Sequence, residues 1–358
     1  MPPLSLRMTE EVARHQRPAQ ALTFCPGAPR ISVIIPVYND AASLVDCLAA
    51  LRAAATADTE IIVVDDASTD DSASLAERAG VTVIRLPRNC GPAAARNYGA
   101  ASARGEILFF VDSDVAVAPD SVRRVLALLD QRPEVAGVFG SYDTTPRAPG
   151  LVSQYRNLLH HFVHQQGNPE AATFWAGCGA MRRSTFTQVD GFDEGAFGRA
   201  IEDIELGYRV RRTGHRIFLD KGLLCKHLKV WTLRSLIRTD VMVRAIPWSR
   251  LIMQHGSPND LNLKTDQRLS AVLVLLLLAS LLAAPFRPML LAPAAAALAA
   301  VVILNRSLYA FFVRLRGVRF TAAVIPLHLL YYLYSTGSFA WVWLGVRWSR
   351  LGAAGRRA

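Results

Sequence analysis

The 358-residue chain predicts an α/β fold built on a mostly parallel sheet and continued by an α-helical membrane region. Three observations carry this expectation. Short, nearly continuous apolar runs alternate with helix-patterned stretches in the first part of the chain, which is how strands buried on both faces and their crossover helices read. Acidic residues stand at the ends of those runs, where open parallel sheets gather their ligands. Charge and hydropathy then change together: residues 1–220 hold 22 Lys or Arg against 26 Asp or Glu, whereas residues 221–358 hold 18 against 3. A chain that is 51% hydrophobic and 19% charged is neither disordered, collagen-like nor disulfide-stapled.

The elements follow in order. Ile31–Tyr38 is the first strand, and Asn39 and Asp40 start a helix patterned over Ser43–Ala55. Glu60–Asp65 is a second strand, Asp66–Asp70 a turn, and Ser72–Ala79 a helix ended by Gly80. Val81–Leu86 is a third strand, Gly91-Pro92 opens a helix reaching about Ala103, and Glu106–Val111 is a fourth strand ahead of Asp112-Ser113-Asp114. A fifth short strand is expected at Arg216–Leu219, followed by a basic turn before His227.

Several function classes are excluded. A dinucleotide-binding sheet needs glycines after its first strand so that backbone can approach a pyrophosphate, and Pro36-Val-Tyr-Asn-Asp40 has none. Nucleic acid is not an expected partner. The basic excess brackets apolar runs instead of covering a soluble face, a pattern suited to a cytoplasmic membrane surface. Five scattered cysteines without a Cys-x-x-Cys spacing read as idle thiols of a reducing compartment. The N-terminus lacks the apolar stretch of a secretory signal.

Three apolar runs, Leu269–Ala284, Pro288–Leu304 and Phe320–Val346, are candidate spans, the first two forming a tight antiparallel hairpin. Asn305–Arg316 is either re-entrant or a further element. Tyr331, Tyr332, Tyr334, Trp341, Trp343 and Trp348 read as interface anchors of the third run. The resulting organisation is a tail over residues 1–30, a catalytic domain over 31–235, an amphipathic interfacial region over 236–268, membrane helices over 269–346 and a basic tail over 347–358. This corresponds to a multi-pass protein of the inner membrane with its catalytic domain in the cytoplasm.

Five motifs occur in order: Ile34-Ile-Pro-Val-Tyr-Asn39, Val63-Val-Asp-Asp-Ala-Ser-Thr-Asp70, Gly91-Pro-Ala-Ala-Ala-Arg-Asn97, Asp112-Ser-Asp114 and Ile201-Glu-Asp-Ile-Glu-Leu-Gly207. Together, over roughly residues 31–235, they resemble glycosyltransferase family 2. The resemblance implies the GT-A nucleotide-sugar-binding fold and inverting transfer of a hexose or N-acetylhexosamine. The donor would be a nucleotide sugar, with a UDP-sugar expected and a GDP-sugar the alternative. The acceptor would be a hydroxyl of a lipid or lipid-linked glycan, with transfer onto a polyprenyl phosphate the competing reading. The motif Gln-x-x-Arg-Trp of related membrane enzymes is replaced here by Arg244-Ala-Ile-Pro-Trp248.

Residue chemistry gives these motifs content. Asp112 and Asp114, at i and i+2 of an extended strand end, point the same way and can hold Mg²⁺ or Mn²⁺ while leaving positions for diphosphate oxygens. The resemblance makes Asp114 the direct ligand, with Asp112 on ribose or metal, and adds His227 as a further metal or diphosphate ligand. Asp65 and Asp66 can accept from a uracil N–H or a ribose hydroxyl. Tyr38 can stack on the base, and Arg96 suits a phosphate or base carbonyl. Pro36 and Asn39 belong to the same donor-binding motif. Glu202 and Asp203 precede an apolar-periodic helix, where negative charge is already favourable by about 0.3–1 kcal/mol. They can also supply a general base for an acceptor hydroxyl, which the resemblance assigns to Asp203 with Glu202 in support. Phe174–Ala180, with Gly177 and Gly179 allowing close backbone approach, resembles the segment against the donor sugar. Phe197-Gly198-Arg199 is a candidate closing loop.

Overall fold

The computed structural model describes residues 28–195, 200–256 and 264–354. The expected tail over 1–27, the loop Phe197-Gly198-Arg199, and Arg356 and Arg357 lie outside the described residues. The first half of the chain runs β1 (Ile31–Val37), α1 (Ala41–Ala54), β2 (Thr59–Asp65), α2 (Ser72–Arg78), β3 (Thr82–Arg85), α3 (Pro92–Ser102), β4 (Ile107–Val111), β5 (Val115–Val117), α4 (Ser121–Gln131) and β6 (Val135–Tyr142). Next come α5 (Leu151–Gln166), β7 (Glu170–Ala171), β8 (Cys178–Arg182), α6 (Arg183–Gln188), α7 (Glu202–Arg212) and β9 (Arg216–His227).

The strands form one sheet in the order β3-β2-β1-β4-β8-β6-β9-β5, with β7 paired to β9. β3, β2, β1 and β4 are parallel, and β8 runs antiparallel between β4 and β6. Every residue of β1 is buried, as a strand covered on both faces must be. Ile31, Val33, Ile35 and Val37 meet α1 and α4 through Leu44, Leu48, Val125 and Leu129. Ile34 faces the other way, onto the alanines of α3 and onto Leu206 of α7. α3 is alanine-rich because it lies close on the sheet: a Cβ on Gly99 would come 2.4 Å from Ile34 Cγ2.

The expected strand at Arg216–Leu219 is longer than its apolar core suggested. β9 continues to His227 through an irregularity, its pairing with β6 passing from Phe139–Leu219 to Ser141–Leu224. Asp220-Lys221-Gly222 reads as a turn, but Arg124 of α4 holds Asp220 at 2.5 and 2.8 Å, and the strand carries on beneath it.

The helical half begins with α8 (Leu233–Arg238), a π-helix over Thr239–Ala245 and α9 (Ile246–His255). It ends with α10 (Thr265–Ala283), a 3-10 turn (Pro288–Leu290), α11 (Leu291–Leu304) and α12 (Arg306–Ala354), which breaks at Gly317 with φ of 82°. Among the described residues, α10 alone is long and apolar enough to cross a membrane. Pro288–Leu304 and Arg306–Trp348 pass only as a pair bent by 70°. The three expected spans therefore reduce to one, or to two if that bent pair is a single broken span. The second run shortens to 14 helical residues, and the third lies in the part of α12 that follows the break at Gly317. Residues 306–316 do form an element of their own ahead of the break. Two of the tyrosines expected as interface anchors bond inward: Tyr332 to Gln267 and Asn305, and Tyr334 to Asp240. Trp341 and Trp348 remain exposed.

The sheet domain and the helices share a core. Tyr155, Leu158 and Leu159 of α5 are buried with Leu308, Tyr309, Phe312 and Val324. Phe312 is fully buried, with its ring 6.2 Å from that of Tyr155. Phe312→Ala should cost about 3–5 kcal/mol, read as a lower thermal midpoint of the full chain in detergent. An unchanged midpoint would mean that α5 does not use this face.

Candidate active site

A cavity of about 550 Å³ opens at the end of the sheet where β1 and β4 run out. Its geometry is set first by the start of α3. Gly91 adopts φ of 95° before Pro92, and both oxygens of Asp66 accept backbone amides there, from Cys90 at 2.6 Å and Gly91 at 2.8 Å. Asp66 therefore fixes the helix start as well as lining the cavity.

One turn along α3, Arg96 is 5% exposed. Its Nη2 donates to Asp112 Oδ1 and its Nη1 to Glu202 Oε1, each at 2.6 Å. Arg96 lines the cavity, but its two terminal nitrogens bridge the acidic ends of two motifs, where a contact to a phosphate or base had been expected. Burial opposes its charge, and the two carboxylates outweigh burial, holding its pKa above the ordinary arginine range. Burial raises the Asp112 carboxyl against the pull of Arg96. Burial also works against Asp114, but its hydrogen bond and charge contact with His227 prevail and lower it.

Asp114 and His227 meet because of strand register. β5 pairs antiparallel with the end of β9, Val115 opposite His227, and the Leu228 amide donates to Asp114 O at 2.8 Å. His227 Nε2 stands 3.3 Å from Asp114 Oδ2, while its Nδ1 lies 2.7 Å from Asn157 Oδ1 on α5. Tyr142 stacks on the imidazole at 4.5 Å. An Asn that fixes one ring nitrogen leaves the other for a ligand, as outer partners of metal-binding histidines do. Asp112 is not gathered with Asp114 and His227 as the expected triad, and its Oδ1 is bonded to Arg96. Among the described residues no three His, Cys, Asp or Glu side chains gather as a cation cage. Two protein ligands still fit Mg²⁺ or Mn²⁺, which keep waters and take substrate phosphates for their remaining positions.

Ile201, at φ of 54°, turns the chain into α7, so Glu202 and Asp203 sit in its first turn facing the cavity. Asp203 Oδ1 accepts from the Ile204 amide at 2.8 Å and Oδ2 from the Ala176 amide at 3.1 Å. Burial first, and the charge of Glu202 second, raise this carboxyl to about 7 against the opposing pull of Arg96.

The other expected residues divide. Pro36 and half-exposed Tyr38 line the cavity. Asp65 and Asn39 do not: Asp65 accepts from the Ser68 amide, and Asn39 accepts from the amides of Thr69 and Asp70. Asn39 ties the loops after β1 and β2 together, and Asp65 braces the loop after β2 from within. Gly177 and Gly179 also lie off the cavity surface. A Cβ on Gly177 would meet the Trp175 ring at 2.7 Å, and one on Gly179 the Trp175 carbonyl at 2.3 Å. These glycines make room for Trp175, and Trp175 itself lines the cavity.

Sequence reasoning missed Asn157, the cavity-lining row Arg156, His160 and His164 on α5, and Lys229, Arg244 and Trp248. The i, i+4, i+8 spacing of Arg156, His160 and His164 was the available signal. Burial pushes His164 down to about 4 and His160 well below its usual range, with the neighbouring His164 adding to the latter. The positive charge of this wall therefore belongs to its arginines and lysine.

Arg96→Gln should leave two buried carboxylates without their cation and cost about 3–5 kcal/mol in denaturant unfolding. An unchanged midpoint would show the bridge to be dispensable. A Cβ at Gly207 of α7 would lie 2.3 Å from the Phe174 backbone nitrogen. Gly207→Ala should therefore displace the helix start carrying Asp203, at about 1–3 kcal/mol, seen as a lower thermal midpoint.

Comparison with known proteins agrees with this architecture. Residues 32–189 match the family model of glycosyl transferase family 2, and residues 156–228 that of the N-terminal domain of galactosyltransferase. An uncharacterised glycosyltransferase of Haemophilus influenzae is 32% identical over 191 residues, 49% of this chain and 60% of the relative. Validoxylamine A glucosyltransferase of Streptomyces hygroscopicus subsp. jinggangensis is 32% identical over 229 residues, covering 53% and 54%. An undecaprenyl-phosphate 4-deoxy-4-formamido-L-arabinose transferase of Klebsiella pneumoniae is 33% identical over 121 residues, covering 31% and 37%. The chain thus spans less than two thirds of the length of each of these relatives. The mannosyltransferase PcManGT from Pyrobaculum calidifontis, solved with GDP-Man and Mn²⁺, shares the fold along 94% of both chains, with a TM-score of 0.54 at 18% identity. With its sheet, its acidic strand end and its family match in agreement, residues 32–189 carry the signature of glycosyl transferase family 2, on the GT-A fold.

Proposed function

We propose that the chain is a membrane-anchored, metal-dependent inverting glycosyltransferase that moves a sugar from a nucleotide sugar to a hydroxyl of a lipid or lipid-linked glycan. The observation that carries this reading is that Asp203, with its carboxyl raised to about 7, shares one cavity with the Asp114–His227 pair. A base with a pKa near neutrality is suited to taking a proton from an alcohol. An acceptor that is already a phosphate anion would need no base, so this carboxylate favours the hydroxyl.

In this mechanism the nucleotide lies toward Tyr38 and Pro36. Asp114 and His227 would hold Mn²⁺ or Mg²⁺, which supplies charge neutralisation for the departing diphosphate. Asp203 accepts the hydroxyl proton as the acceptor oxygen bonds to the anomeric carbon and the bond to the diphosphate breaks. The two backbone amides on Asp203 orient it, each oxygen keeping a further lone pair for the incoming proton. Glu202, bonded to Arg96, lies beside Asp203, and its charge adds to burial in raising the Asp203 carboxyl. One displacement inverts the anomeric centre.

Membrane anchoring is supported by α10, whose Val272, Leu275, Leu276, Leu281 and Leu282 are exposed, and by the basic excess beyond residue 221. The region over 236–268 lies at the interface in this reading, with Met242 and Val243 outward. In the same reading the site lies at the cytoplasmic face of the inner membrane.

Turnover should rise with pH to a plateau above about 7, because protonated Asp203 cannot accept a proton. Asp203→Asn should remove that limb and lower kcat by about 10²–10⁴-fold. Survival of most activity in that variant would assign a phosphate acceptor. Asp114→Ala should abolish manganese-dependent stabilisation by nucleotide sugars in a thermal-shift panel of UDP- and GDP-sugars. Retained stabilisation would remove Asp114 from the metal site, and an anomeric proton spectrum with retained configuration would contradict single displacement.

A further inference from the structure

The far wall of the cavity carries a second polar constellation that the transfer step does not use. It is built by α5, the π-helix and α9, which contribute Arg156, His160, Arg244 and Trp248. At its centre is Asp240, 4% exposed, in the π-helix. Asp240 Oδ1 lies 3.1 Å from Arg156 Nη2 and accepts from Arg244 Nη1 at 3.2 Å. Its Oδ2 accepts the Tyr334 hydroxyl of α12 at 2.6 Å. One carboxylate thus holds two guanidinium groups against the cavity, leaving a surplus positive charge, and Lys229 adds another on the same lining. π-helices are rare and concentrate at functional sites.

The position of this wall says what kind of anion it suits. The metal-binding pair and the nucleotide end lie at the sheet. The arginines lie at the helical end, where a small void of about 20 Å³ bounded by Arg156, His160, Gln267 and Tyr331 continues toward α10 and α12. Val243, on the cavity lining next to Arg244, is exposed, as are Met242 beside it in the π-helix and Val230 and Leu233 close by in sequence to Lys229. An incoming molecule therefore meets apolar surface and fixed positive charge together, which matches an amphiphile with an anionic head. Guanidinium groups are the side chains best shaped for phosphate oxygens.

We propose that Arg156 and Arg244, held in place by Asp240 and Tyr334, form a subsite for a phosphate or diphosphate carried on the amphiphilic acceptor, beside the hydroxyl that reacts. This rests on the transferase reading and narrows its acceptor to a phosphate-bearing lipid-linked sugar. Tyr334 is a positioning residue that connects the C-terminal helix to the acceptor wall.

The test measures binding to the full chain in detergent, without turnover. Farnesyl phosphate, farnesol and inorganic pyrophosphate serve as probes, with excess UDP, GDP and Mn²⁺ filling the donor end. Farnesyl phosphate should bind about tenfold or more tighter than farnesol, in line with charge-assisted hydrogen bonds, and tighter than pyrophosphate. Arg244→Gln and Arg156→Gln should remove the preference over farnesol, and Tyr334→Phe should reduce it while nucleotide binding stays unchanged. Should Arg156→Gln unfold the chain, Arg244→Gln carries the test, since its side chain is 38% exposed against 11% for Arg156. Equal binding of alcohol and phosphate, or a preference that survives Arg244→Gln, overturns the subsite. Loss of farnesyl phosphate binding when UDP and GDP are added assigns the charge to the donor diphosphate and also overturns it. Pyrophosphate binding as tightly as farnesyl phosphate overturns the amphiphile. None of these arms uses Asp203 or Asp114, so failure here and failure of the transferase reading are read apart.

Discussion

The buried guanidinium of Arg96 is the interaction on which the site depends. It joins the acidic end of β4 to the start of α7, two segments far apart in sequence, through two bonds of 2.6 Å. Without a cation between them, Asp112 and Glu202 would be two buried like charges facing one cavity, a costly arrangement. With it, each has a bonded partner, whereas Asp203, which Arg96 does not bond directly, is raised to about 7 by burial and by the charge of Glu202. One buried cation thereby gives the neighbouring carboxylates different environments, the feature that separates roles in acid–base sites.

α5 links this chemistry to the helical half. One face places Asn157 against His227, another lines the cavity through Arg156 and His160, and a third packs Tyr155 and Leu158 against α12. A displacement of the C-terminal helices would therefore reach both His227 and the cavity wall that carries Arg156 and Arg244. Asp240 provides a second connection through Tyr334. The helices are thus part of the site's framework, and a boundary at residue 235 divides a shared core.

Much of the fold was legible because it is local. The apolar runs at Ile31 and Glu60 and the acidic strand end at Asp112 announce strands and their termini. The alternation of those strands with helices announces the sheet's parallel half. Less legible was what each polar side chain bonds to. Asp66, Asn39 and Asp65 read as donor contacts, but their oxygens are taken by backbone amides that hold the loops. Arg96 read as a phosphate ligand because no spacing announces a partner more than a hundred residues away. Asn157 carries no motif at all, and Arg244 stands in a segment that departs from the Gln-x-x-Arg-Trp pattern. The spans were overcounted because hydropathy alone does not register the break at Asn305 or the inward bonds of Tyr332 and Tyr334.

The most direct measurement is a crystal structure with Mn²⁺ and a nucleotide sugar, with the ion located by its anomalous scattering. The account predicts a manganese peak at Asp114 Oδ2 and His227 Nε2, with Arg96 still bonded to both Asp112 and Glu202 and Asp203 facing the anomeric carbon. A peak elsewhere, or Arg96 withdrawn from Glu202 onto the diphosphate, would contradict it.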